Sequence, residues 1–492
     1  YIIDFWQIPL FMLLTGFSLW IGLRKITYRN TTTTFSIPSL VLILLTLIGF
    51  IVLGRGGLQP KPLNLVDASK YGKISNSALV LNTPFSVLKT FGKKGTLNTV
   101  RFFSDGEAKR IFDPVQHFNY EVPNKKNVVL LILESFGREN IQRGQTPFLD
   151  SLITKSYFFE HGFANGKLSM DAVPSTISSV PSLMNTSYIS SSYSLNTVYA
   201  LPKILKDHGY TTSFFHGAFN GSQNFDQYAV VAGFDSYYGM DEYRGPESFD
   251  GKWGVFDEDF LQYFANEMDR FKTPFFTTLF TISSHIPFTI PKKYASKFPK
   301  GSTVIHESIA YTDYALKRYF ETVKTKDWYN NTLFVITADH TSSYGEEPEW
   351  KNNIGKFRIP ILFFEPGNSE MVGVHDKNFQ QIDILPSLMD YLKINTRLIT
   401  FGKSYRSDLD FAINYLDNIY NFKEGDFYLA FDGEKTLGLY NWKIDPLLKK
   451  NLMQSEPGKK NEMERFLKAY IQSFSQRVRD NQLTLDKGEF NL

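Results

Sequence analysis

Apolar positions fall into two regimes along this chain. Near its start, Phe5 to Leu23 and Ser39 to Leu53 are predominantly apolar without an amphipathic period. From Asn127 to about Leu392, short apolar runs alternate instead with helix-like stretches. The runs Asn127 to Leu133, Thr211 to Phe215, Phe275 to Ile282, Thr332 to Ala338 and Ile359 to Phe364 lack polar alternation, as strands covered on both faces do. Leu201 to His208 and Ile309 to Val323 repeat at helical spacing between them, so the order predicts an α/β, mainly parallel sheet flanked by helices. After Gly402 the pattern changes. Asp426 to Tyr440 predicts a hairpin turning at Asp432 and Gly433, and Met463, Phe466, Leu467, Tyr470, Ile471 and Phe474 form the stripe of a terminal helix.

These patterns divide the chain into four parts: transmembrane helices over 1–53, a juxtamembrane linker over 54–126, the α/β domain over 127–402, and a small C-terminal α+β subdomain over 403–492 packed on it. Trp6 and Trp20 sit near the ends of the first apolar run, as interfacial aromatics do, and Arg24, Lys25 and Arg29 lie in the short connection to the second. That bias places the connection in the cytoplasm and everything after Gly54 outside. A chain beginning at Tyr1, so close to an apolar run, is expected to have further sequence and further membrane helices upstream.

Composition narrows the chemistry. A net charge of only +3 over 492 residues gives no reason to expect nucleic acid as a partner. The chain has no cysteine, which excludes disulfides and thiolate metal sites, so any metal is held by histidine, carboxylate or hydroxyl oxygen.

Four positions stand where chemistry is done. Glu134 ends the run Asn127 to Leu133, ahead of Ser135 and Gly137, at the carboxyl end of a central strand where open α/β sheets bind ligands. Taken alone it reads equally as a metal ligand and as a helix-capping carboxylate. Asp339 and His340 close a second buried run and emerge at the same sheet edge; with Glu134 they make a mixed N/O site for Zn or Mn, whereas alone such a pair caps a helix. Ser169, in GKLSMDAVP, enters a small-residue, helix-compatible stretch, so its hydroxyl is either a nucleophile at the positive end of a dipole or a plain N-cap. His216 and His285 each follow a strand, while His161, His208, His306 and His375 are left outside the site.

Glu134 in LILESFG, Ser169 in GKLSMD and Asp339-His340 in ITADH, behind two apolar segments, resemble the lipoteichoic acid synthase and phosphoglycerol transferase family of the sulfatase and alkaline phosphatase superfamily. TPFLDSL at Thr146, HG at His216, WGVFDED at Trp253, SSHIPF at Ser283 and QIDILPSL at Gln381 extend the resemblance over roughly Asn127 to Gly402. It implies a sulfatase-like catalytic domain with Glu134, Asp339 and His340 as metal ligands. It places Ser169 where the family has a threonine nucleophile that also contacts the metal, usually manganese, with zinc and magnesium as the other candidates. His216 and His285 would lie near the phosphate and glycerol. The family's Trp and Arg that hold glycerol phosphate fall near Gln223 and Phe225, where neither type is present, so Asn220, Gln223 and Asn224 are expected to supply polar contacts instead.

The implied activity is a membrane-anchored, metal-dependent transfer of a phosphoglycerol-type head group from a phospholipid to a glycan or glycolipid acceptor of the cell envelope, through a covalent Ser169 intermediate. The enzyme would be a multi-pass protein of the cell membrane, with its catalytic domain on the extracytoplasmic side. A phosphoethanolamine transferase or a phosphodiesterase is the alternative within the superfamily, and a non-catalytic membrane-anchored binding scaffold the alternative outside it. A formylglycine-dependent sulfatase is discounted, because Ser169-Met170-Asp171 lacks the Pro and Arg of a Cys/Ser-x-Pro-x-Arg motif.

Overall fold

The structure is a computed structural model that describes residues 37–58, 62–72, 76–90, 97 and 100–485, with isolated positions at 14, 17, 18, 20 and 21. The chain forms two compact units, Tyr1–Leu63 and Asn64–Leu492.

In the first unit Ile37–Arg55 is a 19-residue helix. Leu40, Leu42, Ile43, Leu44, Leu47, Ile48 and Ile51 are all exposed on it, and Thr46 returns its hydroxyl to the carbonyl of Leu42 at 2.8 Å, so the one polar side chain in the middle makes its hydrogen bond locally. Two membrane-spanning helices were expected from the sequence. Among the described residues, no helix is long and apolar enough to cross a membrane. The Leu-, Ile- and Val-rich part, from Leu40 to Leu53, covers 14 positions, about 21 Å of helix against a hydrocarbon core of about 30 Å. The other expected span, Phe5 to Leu23, lies largely outside the described residues.

The second unit is built on an eight-stranded sheet, with a two-stranded and a four-stranded sheet beside it. The strands are β1 (Val115–Phe118), β2 (Asn127–Leu133), β3 (Tyr157–Phe163), β4 (Thr211–His216), β5 (Ser236–Tyr238), β6 (Phe275–Phe280), β7 (Thr332–Ala338), β8 (Ile361–Phe364), β9 (Gly373–Gln380), β10 (Thr396–Ile399), β11 (Phe411–Leu416), β12 (Ile419–Glu424), β13 (Phe427–Phe431) and β14 (Thr436–Asn441). The main sheet runs β5-β4-β6-β2-β7-β8-β3-β9. All its pairings are parallel except those of β8 with β7 and β3. The apolar run at Ile359 to Phe364 is therefore a strand, but it runs against its neighbours instead of closing a βαβ unit. Burial on both faces gives a parallel and an antiparallel strand the same unbroken apolar sequence.

Asn127 sets the register at the centre. Its Oδ1 accepts from the Phe275 N–H at 3.1 Å and its Nδ2 donates to the Thr332 hydroxyl at 3.4 Å, tying the first residues of β2, β6 and β7 to one another. Ile132 then lies opposite Phe280, Leu133 opposite Ala338, and His216 opposite Phe280. The carboxyl ends of β4, β6, β2 and β7 finish at one level.

The C-terminal sheet has order β11-β12-β13-β14, with the expected turn at Asp432 and Gly433. The sequence reading missed its first hairpin, β11 and β12, which turns at Asp417 and Asn418, both with positive φ. The helix Pro457–Arg479 packs here through Phe466, which lies 5.4 Å from Phe422 and 5.3 Å from Phe411 between ring centres. Part of the stretch ahead of β2 also docks on the unit: Asp67 accepts from the Gln227 amide at 2.7 Å, and the Gln472 side chain accepts from the N–H groups of Phe102 and Phe103.

Candidate active site

Glu134 follows β2, Thr281 follows β6 and Asp339 follows β7, so strand register alone brings them together. The Glu134 N–H donates to the Thr281 hydroxyl at 2.9 Å, and the Asp339 N–H to the Leu133 carbonyl at 3.0 Å. Ser135 stands in a left-handed conformation with φ of 56°, a strained state for a residue with a side chain. There its N–H reaches Asp339 Oδ1 and its hydroxyl reaches Glu134 Oε1, both at 2.7 Å.

His340 completes the cluster. Its Nε2 lies 3.1 Å from Asp339 Oδ2 and 4.0 Å from Glu134 Oε1, and ligand atoms of Glu134, Asp339 and His340 all fall within 4.8 Å of one another. On the other side of the ring, Nδ1 lies 2.9 Å from the Thr341 carbonyl. A proton on Nδ1 leaves Nε2 as a lone pair facing the carboxylates.

Ser169 arrives from a strand further along the same sheet, at the first position of the helix Ser169–Ser178 that follows β3. Its hydroxyl donates to Glu134 Oε2 at 3.2 Å. The preceding turn is fixed by Asp171, which accepts from the Leu168 N–H at 3.2 Å and the Ser187 hydroxyl at 2.6 Å. The Asp171 carboxylate occupies the space a side chain at Gly166 would need, its Oδ2 being 2.3 Å from where a Cβ would stand.

The charges in this cluster are unbalanced. Glu134 and Asp339 are buried side by side, and Asp339 Oδ2 is a buried oxygen without a hydrogen-bond donor. Burial first, and then the charge of Asp339, hold the Glu134 carboxyl well above the usual carboxylate range. Two carboxylates, one imidazole and an orphaned acid oxygen fit a divalent cation by charge and by donor type.

His216 and His285 line a narrow cleft of about 10 Å3 together with Glu134, Ser222, Gln223 and Trp253. His216 is buried, its Nδ1 3.5 Å from the Tyr237 hydroxyl, and the edge of Trp253 packs on His285 at 4.3 Å. Gln223 reaches the cleft from a left-handed backbone, with φ of 53°. Asn220 points elsewhere, its amide donating to both carboxylate oxygens of Glu242 at 3.2 and 3.0 Å. Asn224 is absent from the cleft lining. Of the three polar residues expected here, Gln223 lines the cleft together with Ser222, and Asn220 and Asn224 do not.

Lys167 was not singled out by the sequence reading. Its ammonium donates to the Thr341 carbonyl at 3.1 Å, the Thr341 hydroxyl at 2.5 Å and the Lys356 carbonyl at 2.9 Å, while burial lowers its pKa to about 8. Its position two residues before Ser169 was the available signal. Trp253 opens the WGVFDED landmark, and Gly254 after it has no room for a Cβ because the Gly217 carbonyl would stand 2.1 Å away.

The sulfatase family model matches residues 126–394, more than half of the chain and the whole of the sheet that carries these residues. The chain belongs to the sulfatase family. Among relatives, this sulfatase-family chain is 25% identical over 381 residues to the lipoteichoic acid synthase-like protein YvgJ of Bacillus subtilis, covering 70% of the chain and 60% of that protein. It is 29% identical over 343 residues to the lipoteichoic acid synthase of Staphylococcus aureus, covering 63% of the chain and 51% of that protein. The chain thus spans about half to three fifths of the curated relatives it matches. Two solved structures share the fold: a protein of the alkaline phosphatase superfamily from Vibrio parahaemolyticus, with TM-score 0.69 and 22% identity over 78% of this chain and 98% of that one, and the lipoteichoic acid synthase LtaP from Listeria monocytogenes, with TM-score 0.64 and 20% identity over 77% and 99%.

Proposed function

We propose that this chain is a metal-dependent phosphotransferase that moves a phosphoglycerol-type head group from a phospholipid to a hydroxyl of a glycan or glycolipid acceptor of the cell envelope. The observation that carries the reading is the Ser169 hydroxyl, 3.2 Å from Glu134 Oε2 at the edge of a two-carboxylate, one-imidazole cluster. Glu134, Asp339 and His340, with the Ser169 oxygen beside them, would hold the divalent ion, Mn2+ first and Zn2+ or Mg2+ next. A bound ion there supplies positive charge for the phosphate oxygens and lowers the pKa of the hydroxyl.

The chain's own groups do the rest. Ser169 aims its proton at Glu134 Oε2, which leaves an oxygen lone pair for attack on phosphorus. A Ser169 oxygen–phosphorus bond forms and the bond from phosphorus to the lipid glycerol oxygen breaks, so that diacylglycerol leaves with a proton. His285 and His216, which line the cleft with Glu134, are the donors for that proton and for the phosphoryl oxygens. An acceptor hydroxyl then displaces Ser169 by the reverse sequence.

Membrane anchoring belongs to the same proposal. The helix Ile37–Arg55 exposes leucine and isoleucine on every face, a surface that needs lipid or another apolar partner. The lipid donor gives the enzyme a reason to stay at the bilayer, multi-pass and with its catalytic unit on the extracytoplasmic side.

A second reading within the superfamily, phosphoethanolamine transfer or phosphodiester hydrolysis, is favoured by the uncharged Ser222 and Gln223 at the cleft and by Phe225. Phe225 is turned into the core, 5.0 Å from His216 and 5.2 Å from Phe280 between ring centres. Intact-mass analysis after incubation with Mn2+ and phosphatidylglycerol or phosphatidylethanolamine separates them. A Ser169-dependent mass gain is expected and its size names the head group. No gain and no diacylglycerol release with either lipid would remove the reading in favour of a binding scaffold.

A further inference from the structure

Three large apolar side chains stand exposed next to residues that line the catalytic cleft. Phe219 follows Ala218 and is 40% exposed, Ile286 follows His285 and is 52% exposed, and Phe249, 43% exposed, packs its ring 5.7 Å from that of Phe219. Trp253 joins them. Its carbonyl accepts from the Phe219 N–H at 3.3 Å and its indole N–H donates to the Ile286 carbonyl at 2.7 Å, so both are anchored to a residue of the cleft lining. Single exposed hydrophobic residues are ordinary on a protein surface, whereas a connected group beside a site marks contact with an apolar partner.

The charge beside this group is positive. Ile286 to Lys300 carries four lysines and no acid. Lys293 pairs with Glu258 at 3.1 Å, which ties the stretch to the start of the helix Asp257–Met268, and Lys297 lies over the Tyr314 ring at 3.4 Å. Lys292 and Lys300 are exposed and make no ion pair among the described residues. Lys252, also exposed, lies 5.4 Å from the centre of the Trp253 ring. Two nearby acids are engaged within the protein: Asp250 Oδ1 accepts from the N–H groups of Lys252, Trp253 and Gly254 at 2.8, 2.7 and 3.1 Å, and Asp259 accepts from the Ser248 hydroxyl at 2.7 Å. Glu247, two residues before Phe249, stays exposed.

Aromatic and aliphatic side chains flanked by lysines suit the boundary of an anionic bilayer, where rings and aliphatic tips enter the head-group region and ammonium groups meet phosphate. A neutral glycan offers neither an apolar phase nor negative charge. We propose that this face of the catalytic unit docks on the bilayer, with Phe219, Phe249 and Ile286 among the lipid head groups and Lys252, Lys292 and Lys300 on anionic phosphates. Docking of this kind rests on the reading of a phospholipid as the donor, and lets its phosphodiester reach Ser169 while the acyl chains stay in the leaflet.

The chain has no cysteine, so a nitroxide can be placed at one position at a time on the full chain in vesicles that contain phosphatidylglycerol. Labels at Phe249→Cys and Ile286→Cys are expected, by EPR, to be open to dissolved oxygen and shielded from a water-soluble nickel chelate. Labels at Val374→Cys, on the edge strand β9, and at Ile444→Cys, both exposed positions, stay open to the chelate. Lys292→Gln together with Lys300→Gln lowers the ratio of docked to undocked chains by about 30-fold, the worth of two charges near an anionic surface. Labels at 249 and 286 that the chelate reaches as readily as the controls overturn the proposal. Labels shielded from oxygen and chelate alike mark a surface covered by protein, another copy or another part of this chain, and overturn it too. Neither outcome touches the transfer reading, which the Ser169-dependent mass gain tests separately, and docking without that gain would overturn the transfer reading alone.

Discussion

Lys167 and His340 meet on one oxygen: the ammonium donates to the Thr341 carbonyl at 3.1 Å, and His340 Nδ1 lies 2.9 Å from the same atom. The lysine fixes the acceptor, and the acceptor fixes the tautomer and orientation of the ring. Groups that orient a ligating histidine in this way typically change metal affinity 10–100-fold when removed. Lys167→Met is therefore expected to weaken metal binding by about that factor, by calorimetry, with the circular dichroism spectrum unchanged. Equal affinity would show that His340 is held by other means.

The metal-free cluster is expected to be a source of instability. The Glu134 carboxyl is raised in the folded chain above its ordinary value of 4.5, so its contribution is fully present below that pH and is lost as pH rises toward the folded value. At pH 7, Glu134→Gln is expected to raise the melting temperature of the metal-stripped chain and to abolish the further rise that Mn2+ gives the unaltered one. A lower melting temperature in metal-stripped Glu134→Gln would contradict this account.

Gln223 offers a way to separate stability from substrate contact. Its φ of 53° costs a side-chain-bearing residue about 1 kcal/mol, which glycine avoids. Gln223→Gly is expected to leave stability unchanged or raised by up to about 1 kcal/mol, while KM for the lipid donor rises. A drop in stability with unchanged KM would place the residue's role in the turn.

Lys423 should give stability a slope at alkaline pH. It is fully buried, its ammonium 4.5 Å from the centre of the Phe163 ring, and burial lowers its pKa to about 7 from 10.5. The unfolded chain therefore binds this proton up to about pH 10.5 and the folded chain only up to about 7. Stability rises with pH between these values by up to about 1.4 kcal/mol for each unit. Urea titrations at pH 7, 8 and 9 should show the rise, and Lys423→Met should flatten it. The slope is the readout, because methionine strands the Asn414 oxygen to which Lys423 donates.

Much of the site was legible because strand ends are marked in sequence. An unbroken apolar run that stops at Glu134, and another that stops at Asp339 and His340, locate the sheet edge before any partner strand is known. Sheet direction was not legible in the same way, and β8 runs opposite to expectation because a doubly buried strand carries no mark of its direction. Nor could side-chain direction be read in the turn after His216, where Asn220 goes to Glu242 and Gln223 takes the cleft on a left-handed backbone. Lys167 escaped because a lysine beside a motif is ordinarily a solvated residue, and only the fold reveals the three acceptors that surround it.

The register pin at Asn127 has a consequence for how the protein is made. Its two partners, Phe275 and Thr332, lie 148 and 205 residues further along the chain. A ribosome delivering the sequence from its N-terminus releases this fully buried central strand long before either neighbour exists. Until then β2 has two bare edges, the kind of segment that joins to another copy when nascent chains crowd together. Pairing over such separations is also slow. Chaperone demand during synthesis should therefore fall once Thr332 to His340 has emerged, the same moment at which Asp339 first meets Glu134.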